Sequence, residues 1–212
     1  ILDADHTIGH AAGYYAMQKA IKLASKNGIG SVAVKNSSHC GALSFFGEMA
    51  AKNNMIGLAF THATAKLKST NSNREFFGTN PICFAAPTNL NANFCFDSSQ
   101  SFMSFHEILK RRKTKKILPN YVAADINGKI TNNPQKAIQL LPIGDYKGMG
   151  MAMMVDILCS LLTGMNYGPR ISKMYSPYNE KRNLGHFFIA ININAFENIK
   201  KFKDRLTDMC IE

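Results

Sequence analysis

In the first third of the chain, segments with the hydrophobic periodicity of an α-helix alternate with short, continuous apolar runs. At 12–26, apolar side chains recur at helical spacing, which predicts an amphipathic helix that ends at Asn27-Gly28. Continuous apolar runs at 29–34 and 55–60 predict two short buried strands, and the segment 42–52 between them predicts a second helix. This order of helix, strand, helix and strand favours an α/β fold with a parallel or mixed sheet.

The rest of the chain has weaker periods and one long polar interval. Residues 61–80 are polar and irregular, and a loop of about twenty residues inside a compact domain is usually functional. Asn127-Gly128 indicates a tight turn, and Asn133-Pro134 predicts the start of a short helix. Further strands are predicted at 82–86, 93–97 and 186–193, and further helices at 101–111, 149–162 and 196–210.

The longest apolar stretch covers 149–165. Gly150, Asp156 and Gly164 interrupt it, and it is shorter than the ~20 residues that a membrane-spanning helix needs. We interpret it as a buried helix whose methionines pack in the core. The segment after Ile1 has neither the basic start nor the apolar run of a secretory signal, so the sequence predicts a cytoplasmic protein without a membrane partner.

Composition adds charge and cysteine content to this picture. The chain has 25 Lys+Arg against 14 Asp+Glu, a formal net charge of +11, and its densest basic run is 110–116. Such a run is more often a solvated helix end than a phosphate-binding face, so nucleic acid is not the predicted partner. The five cysteines are odd in number and none form a C-x-x-C pair, which disfavours disulfides and a metal site and favours a reducing cytosol.

One loop carries a residue with catalytic chemistry. His39 follows the strand at 29–34 in a Ser- and Gly-rich loop, where its imidazole could act as a general base or simply be a surface residue. The neighbouring Cys40 is a poor candidate for a nucleophile, because adjacent residues on a loop tend to point apart.

Three further segments could bind an anion or a ribose. Lys147 lies among glycines at the start of the long apolar helix, where it could attract a carboxylate or a phosphate or be incidental. Arg182 could hold a substrate carboxylate through two hydrogen bonds or be a surface arginine. Asp97-Ser98-Ser99 could bind a ribose hydroxyl or a backbone amide, or cap the next helix. Neither a GxGxxG nor a Walker A pattern is present, so a Rossmann or P-loop site is not supported.

Several motifs, taken in order, resemble those of one family. They are Asn36-Ser37-Ser38-His39-Cys40-Gly41, Phe77-Gly78-Thr79-Asn80-Pro81, Phe96-Asp97, and Pro142 with Lys147-Gly148-Met149-Gly150. The series resembles the malate/L-lactate/ureidoglycolate/sulfolactate dehydrogenases, which are nicotinamide-dependent 2-hydroxyacid oxidoreductases without a Rossmann domain. Two later segments resemble the ureidoglycolate dehydrogenase branch, namely Ile171-Ser172-Lys173-Met174-Tyr175 and Arg182-Asn183-Leu184-Gly185.

The resemblance implies an α/β fold with a non-Rossmann mixed sheet and flanking helices, in a homodimer. Residues 1–212 would form a single dehydrogenase-like domain that lacks the family's N-terminal and C-terminal segments. The implied reaction is oxidation of (S)-ureidoglycolate to oxalurate in purine (allantoin) breakdown, with malate, L-lactate or sulfolactate as alternative substrates.

The resemblance also implies roles for individual residues and a cofactor. His39 would take the proton of the substrate hydroxyl while hydride passes to NAD, with NADP as the alternative acceptor. Arg182 would bind the substrate carboxylate, and no metal is implied. The residues implied to border the cofactor are Asp97, Ser98, Ser99, Lys147 and Ala63.

The sequence departs from the family pattern at four places. Ser69-Thr70-Asn71-Ser72 replaces a Pro-x-Gly-Gly turn, Ala63 a cofactor-contacting serine, His106-Glu107 a Gly-Lys pair, and Val122 a tryptophan. These changes support a second hypothesis, in which the chain is a catalytically degraded remnant of the fold. A third hypothesis is a basic module that binds nucleic acid through 110–116 with a steep salt dependence.

Overall fold

The computed structural model describes residues 1–173 and 180–212, which form two β-sheets and five α-helices. The larger sheet contains, in spatial order, β1 (Leu2–Asp3), β2 (Ile29–Ser37), β10 (Leu184–Asn192), β3 (Met55–Thr61), β6 (Ile82–Ala86) and β7 (Phe94–Ser98). The smaller sheet contains β5 (Glu75–Phe77), β4 (Leu67–Lys68), β9 (Gln139–Leu140) and β8 (Ala123–Ala124). The helices are α1 (Gly9–Asn27), α2 (Ser44–Ala51), α3 (Phe105–Thr114), α4 (Tyr146–Cys159) and α5 (Ile199–Ile211).

The position of β10 decides the topology of the larger sheet. β10 lies between β2 and β3 and is antiparallel to both, so that Phe188 faces Val32 on one side and Ala59 on the other. β2 and β3 therefore run in the same direction without pairing with each other. β1 pairs with β2 in parallel and the other neighbours are antiparallel, which confirms the expected mixed sheet.

Strand direction brings six chain segments to one edge of this sheet. β1, β2, β3 and β7 end at that edge, and β10 and β6 begin there, with Leu184 opposite Ser37 and Ile82 opposite Ser98. We call it the His39 edge, after the histidine in the loop that follows β2. The loops that form it lie at 4–8, 38–43, 62–66, 78–81, 99–100 and 180–183.

Helices cover both faces of the sheet, and β10 contributes side chains to each. Phe188 packs against Phe46 of α2 with ring centroids 5.1 Å apart, in a cluster that includes Met17 of α1. Phe187 belongs to a cluster on the other face with Val155 of α4. Because both faces are covered, β10 has a continuous apolar sequence instead of an alternating one.

The interval 61–80 is not irregular throughout, which corrects the predicted loop. β4 and β5 lie inside it and pair with each other, and Leu67 also pairs with Leu140 of β9. Strands of two or three residues are too short to show a hydrophobic period, so the sequence pattern could not reveal them.

The short helix predicted at Asn133-Pro134 is a single turn. The carbonyl of Asn133 accepts from the N–H groups of Lys136 and Ala137, and its side chain accepts from the N–H of Gln135. The chain then extends into β9, whose pairing with β8 ends the turn.

The apolar helix is buried on one face only, which corrects the expectation of a wholly buried helix. The buried positions of α4 are Gly148, Ala152, Val155, Asp156 and Cys159. Its other face and the following turn expose Met153, Met154, Ile157, Leu161 and Leu162. An apolar composition all round the helix held no information on which face the sheet would cover.

Two of the predicted helices begin at a side-chain cap that lies after the predicted first residue. Ser104 accepts from the N–H of Glu107 and starts α3, and Asn198 accepts from the N–H groups of Lys200 and Lys201 and starts α5. Both helices therefore begin a few residues later than predicted.

The basic run lies at the end of α3 and is partly engaged within the chain. Arg111 Nε donates to Glu107 Oε1 over 2.9 Å, and Arg112 donates to the carbonyl oxygens of Pro134 and Ala137. These contacts leave fewer cations of the run for a phosphate backbone.

Candidate active site

His39 is exposed and lies in the loop two residues after the end of β2. The N–H of Gly41 donates to its Nδ1 over 3.1 Å, and the ring of His10 in α1 lies 6.4 Å away, centroid to centroid. Partial burial of the ring, followed by the charges of His10 and Arg182, lowers the pKa of His39 from its ordinary value. A histidine with a lowered pKa stays unprotonated, and so able to accept a proton, at a lower pH than an ordinary one.

The contact with Gly41 also determines the ring tautomer. Because Nδ1 of His39 accepts a hydrogen bond, the hydrogen of the neutral ring is on Nε2. Proton uptake at Nε2 requires that hydrogen to be on Nδ1, so the bond to Gly41 opens when the ring acts as a base. The Gly41 amide is only half-buried, and water can replace the ring as its acceptor.

Arg182 lies at the same edge, two residues before β10 begins. Its Nη2 donates to Thr64 Oγ1 over 3.3 Å, and its Nε is buried without a hydrogen-bond partner in the described part of the chain. Burial lowers the pKa of Arg182, but an arginine remains charged across the physiological range. An unpaired buried N–H on a cation is costly, so this geometry suits an anionic oxygen from a ligand.

A buried polar network lies next to Arg182. Asp156 of α4 accepts from Asn80 Nδ2 over 2.9 Å and from the N–H of Gly168 over 2.9 Å. His62 Nδ1 lies 3.7 Å from the same carboxylate, and its Nε2 accepts from the N–H of Gly185 over 2.8 Å. The network therefore connects α4 to two loops of the His39 edge, to the turn at Gly168 and to the start of β10.

A second buried histidine supports the loop of His39. His186 Nδ1 lies 2.7 Å from Thr61 Oγ1, and its Nε2 lies 2.9 Å from Ser37 Oγ and 3.1 Å from the carbonyl oxygen of Ser38. Burial lowers the pKa of His186 to about 3. Its ring is therefore neutral at physiological pH, as its buried position requires.

Two of the cofactor candidates, Ser98 and Ser99, lie near the start of α4, the helix that carries Lys147. Ser98 ends β7 and Ser99 follows it, and the carbonyl of the next residue, Gln100, accepts from the N–H of Ile143 just before α4. Lys147 is exposed, and the first turn of α4 contains no acidic residue. An ammonium group beside the positive end of a helix suits a phosphate.

The other two candidates, Asp97 and Ala63, have structural contacts as well. Asp97 Oδ2 accepts from the N–H of Ser44 over 2.7 Å, so this carboxylate caps α2 and not the helix that follows it in sequence. The N–H of Ala63 donates to Asn80 Oδ1 over 3.0 Å. A Cβ at Gly78 would lie 2.2 Å from the carbonyl oxygen of Ala63, which explains the glycine there.

The sequence pattern did not single out several polar residues that the structure places here. Two of them nevertheless had a signal in the sequence: Asp156 is the one carboxylate of an apolar helix, and His62 directly follows a buried strand. His186, inside a strand, and Thr64, inside a polar loop, carried no such signal. His10 lies at the start of α1, where only the fold brings it near His39.

Three of the departures from the family pattern have local structural explanations. Residues 69–72 contain no positive φ, and hydrogen bonds from Ser72 to Ser69 and from Ser69 to Arg74 close the turn without glycine. Glu107 pairs with Arg111, and Val122 is buried in the cluster beneath the smaller sheet. The substitutions are therefore compatible with an unstrained fold.

The described cysteines are free thiols. Burial raises the pKa of Cys40 to about 12, so this thiol beside His39 is not a ready nucleophile. Within 1–173 and 180–212, no cluster of His, Cys, Asp and Glu side chains could hold a metal ion. None of the helices described there has the length and apolar character needed to cross a bilayer. Met174 and Tyr175 of the family-like segment lie outside the described residues.

A model of the malate/L-lactate dehydrogenase family matches residues 1–212, and the chain belongs to that family of NAD(P)-dependent oxidoreductases. It is 33% identical over 207 residues to the ureidoglycolate dehydrogenase (NAD(+)) of Escherichia coli, covering 98% of this chain and 59% of that protein. It is 36% identical to the malate dehydrogenase of Pyrococcus abyssi, over an alignment of 223 positions that covers 100% of this chain and 60% of that protein.

A solved structure has the same fold. The sulfolactate dehydrogenase from Methanocaldococcus jannaschii superimposes with a TM-score of 0.92 at 32% identity, covering 99% of this chain and 61% of that one. The chain spans about 60% of the length of these relatives.

Proposed function

We propose that the protein is an NAD(P)-dependent 2-hydroxyacid dehydrogenase that oxidises (S)-ureidoglycolate to oxalurate, with NAD as the hydride acceptor. One observation carries the proposal: a single sheet edge holds an arginine whose buried Nε has no hydrogen-bond partner within 1–173 and 180–212, and a histidine whose pKa is lowered by partial burial and then by the charges of His10 and Arg182. A cation for the carboxylate and a base for the adjacent hydroxyl are the two groups that this oxidation requires.

In the proposed reaction, Arg182 binds the substrate carboxylate and thereby directs the adjacent hydroxyl toward His39. The Nε2 atom of His39 takes the hydroxyl proton, and the carbon–oxygen bond becomes a double bond as the carbon-bound hydrogen leaves as hydride. The resulting imidazolium releases its proton to solvent. In the opposite direction the same imidazolium returns a proton to the oxo acid.

The residues at the edge fit a nicotinamide dinucleotide. Lys147 and the start of α4 would hold its diphosphate, and Ser98 and Ser99 would donate to its phosphate or ribose oxygens. Asp97 is exposed and its second oxygen is available to a ribose hydroxyl, whereas Ala63 could contribute only backbone and methyl contacts. The cofactor, when bound, accepts the hydride at its nicotinamide ring.

The choice of substrate and cofactor is supported by the relatives. Family members are named for NAD(+) and for NADP(+), and the ureidoglycolate relative is named for NAD(+). Malate, L-lactate and sulfolactate are the alternative substrates. The homodimer implied by the resemblance and the cytoplasmic location predicted from the sequence stay predictions.

Activity measurements on two variants test the proposal. With (S)-ureidoglycolate and NAD, His39→Asn should lower kcat by about 10²–10⁴, because a positioned acid–base group contributes that factor. Arg182→Gln should raise KM by roughly 10–100-fold, the equivalent of one or two charged hydrogen bonds. Lys181→Gln removes a neighbouring exposed charge and should leave both constants unchanged.

The alternative substrates and the degraded remnant each predict a different outcome in these measurements. Turnover of malate, L-lactate or sulfolactate without turnover of ureidoglycolate would reassign the substrate. If the correctly folded parent protein neither turns over a 2-hydroxy acid nor binds NADH, the degraded-remnant hypothesis is favoured. A full rate for His39→Asn would refute the base role.

A further inference from the structure

We propose that His62 is a positioning residue that sets the place of Arg182, through a relay from Asp156 of α4 to the backbone of Gly185. The inference rests on the proposed function, in which Arg182 binds the substrate carboxylate. It concerns the segment 62–64, which follows β3 and lies against the chain that carries Arg182.

The segment 62–64 contacts the Arg182 chain at two points. His62 Nε2 accepts from the N–H of Gly185, three residues after Arg182, over 2.8 Å. Thr64 Oγ1 accepts from Arg182 Nη2 over 3.3 Å. One contact holds the backbone and the other holds the guanidinium, so together they determine where the side chain starts and where it points.

The segment is itself held from α4. Asp156 Oδ1 lies 3.7 Å from His62 Nδ1 and accepts from Asn80 Nδ2 over 2.9 Å. Asn80 Oδ1 in turn accepts from the N–H of Ala63 over 3.0 Å, and its Nδ2 also donates to the carbonyl of Ala152 over 2.8 Å. His62, Asn80 and Asp156 are all buried, so the contacts act without competition from water.

The tautomer of His62 determines which ring nitrogen serves each contact of the relay. Because Nε2 accepts from Gly185, the ring hydrogen of the neutral imidazole is on Nδ1, which is buried 3.7 Å from Asp156 Oδ1 without a hydrogen-bond partner in the described part of the chain. The distance of 3.7 Å is longer than a hydrogen bond, so the carboxylate orients the ring by electrostatic attraction. A ring held this way presents its acceptor to Gly185.

Gly185 has no freedom to move toward α4. A Cβ at this position would lie 1.7 Å from the carbonyl oxygen of Cys159, so the bare backbone of Gly185 lies against the end of the helix. Its amide is therefore held between the helix on one side and His62 on the other. A change in the His62 contact displaces the start of β10, and Arg182 is three residues away.

Two matched variants test the relay, because an asparagine amide reaches the place of Nδ1 and a glutamine amide that of Nε2. His62→Gln keeps an acceptor for Gly185, and we expect a KM for the hydroxy acid within about twofold of the parent. His62→Asn loses that acceptor, and we expect KM for the hydroxy acid to rise about tenfold, the equivalent of one hydrogen bond, with an unchanged KM for NAD.

Amide hydrogen exchange gives a readout that does not need activity. The Gly185 amide should exchange faster in His62→Asn than in His62→Gln or the parent. Equal exchange, or equal KM for the hydroxy acid in the two variants, would overturn the relay. An equal rise in the KM for NAD would overturn it too, since a general loss of structure would then explain the effect.

A second pair covers the case in which His62→Asn does not fold. Thr64→Val removes the acceptor for Arg182 at a half-buried position, and Thr64→Ser keeps it. The valine variant should show the same selective rise in KM, and the serine variant should not; identical constants would count against the segment as a positioning device. If the parent turns over no 2-hydroxy acid, the proposed function fails, whereas an active parent with indistinguishable variants refutes the relay alone.

Discussion

At the scale of single residues, the protonation of His39 depends on the charged groups around it. His39 lies near two basic side chains, His10 and Arg182, and their charges add to partial burial in lowering its pKa. Both neighbours come from segments far away in sequence, so the motif around His39 predicts a base but not the pH at which it works. The protonation state of the base is a property of the assembled edge.

Removing one of these charges should move the pH profile. In His10→Asn the pKa of His39 should rise, because a like charge that disfavours its protonation is gone. The acidic limb of kcat/KM for oxidation should then move to higher pH, since the base becomes protonated sooner as pH falls. Steady-state rates across a pH series measure this shift.

A control separates this effect from a change in net charge. Lys22→Gln removes a cation on the same helix about 18 Å further along, and its profile should match the parent. A profile for His10→Asn that does not move, or one that moves equally in both variants, would contradict the coupling between His10 and His39.

At the scale of elements, the end of α4 and the start of β10 are packed too closely for a side chain. The ideal Cβ of Gly185 lies 1.7 Å from the carbonyl oxygen of Cys159, whereas that of Gly150 in α4 has nothing within 4 Å. The same residue type is therefore required at one of these positions and dispensable at the other. Sequence alone assigns both glycines to turns or motifs without distinguishing them.

The two glycines should respond to alanine with opposite signs. Gly185→Ala should lower the free energy of unfolding by about 3 kcal/mol, because helix and strand must separate. Gly150→Ala should raise it by about 0.5–1 kcal/mol, since alanine is the better helix former in open space. Urea unfolding of both variants measures the difference, and a stable Gly185→Ala would show that the contact is not close in solution.

At the scale of the whole molecule, the sheet is stabilised by a histidine that must stay neutral. The pKa of His186 is about 3 in the folded chain against an ordinary 6.5. Below pH 6.5 the unfolded chain binds a proton that the folded chain does not. The stability present above pH 6.5 is therefore lost progressively as pH falls toward about 3.

Unfolding free energies measured between pH 8 and pH 4 should show this loss. His186→Asn should be less stable than the parent at pH 8 by about 1–3 kcal/mol, because buried hydrogen bonds are lost, but its stability should depend less on pH. His106→Gln changes an exposed histidine of α3 and should keep the parent's pH dependence. A parent whose stability is flat across this interval would argue against a neutral buried His186.

The sequence by itself determined the helices and longer strands, the loops that carry His39, Lys147 and Arg182, and the family. These follow from hydrophobic periods and short motifs, which neighbouring residues carry. Only the tertiary structure decided that β10 separates β2 from β3, which face of α4 is buried, and that His62 and Gly185, 123 positions apart, share a hydrogen bond. Such contacts depend on strand order and packing, because residues remote in sequence meet only when the sheet has assembled.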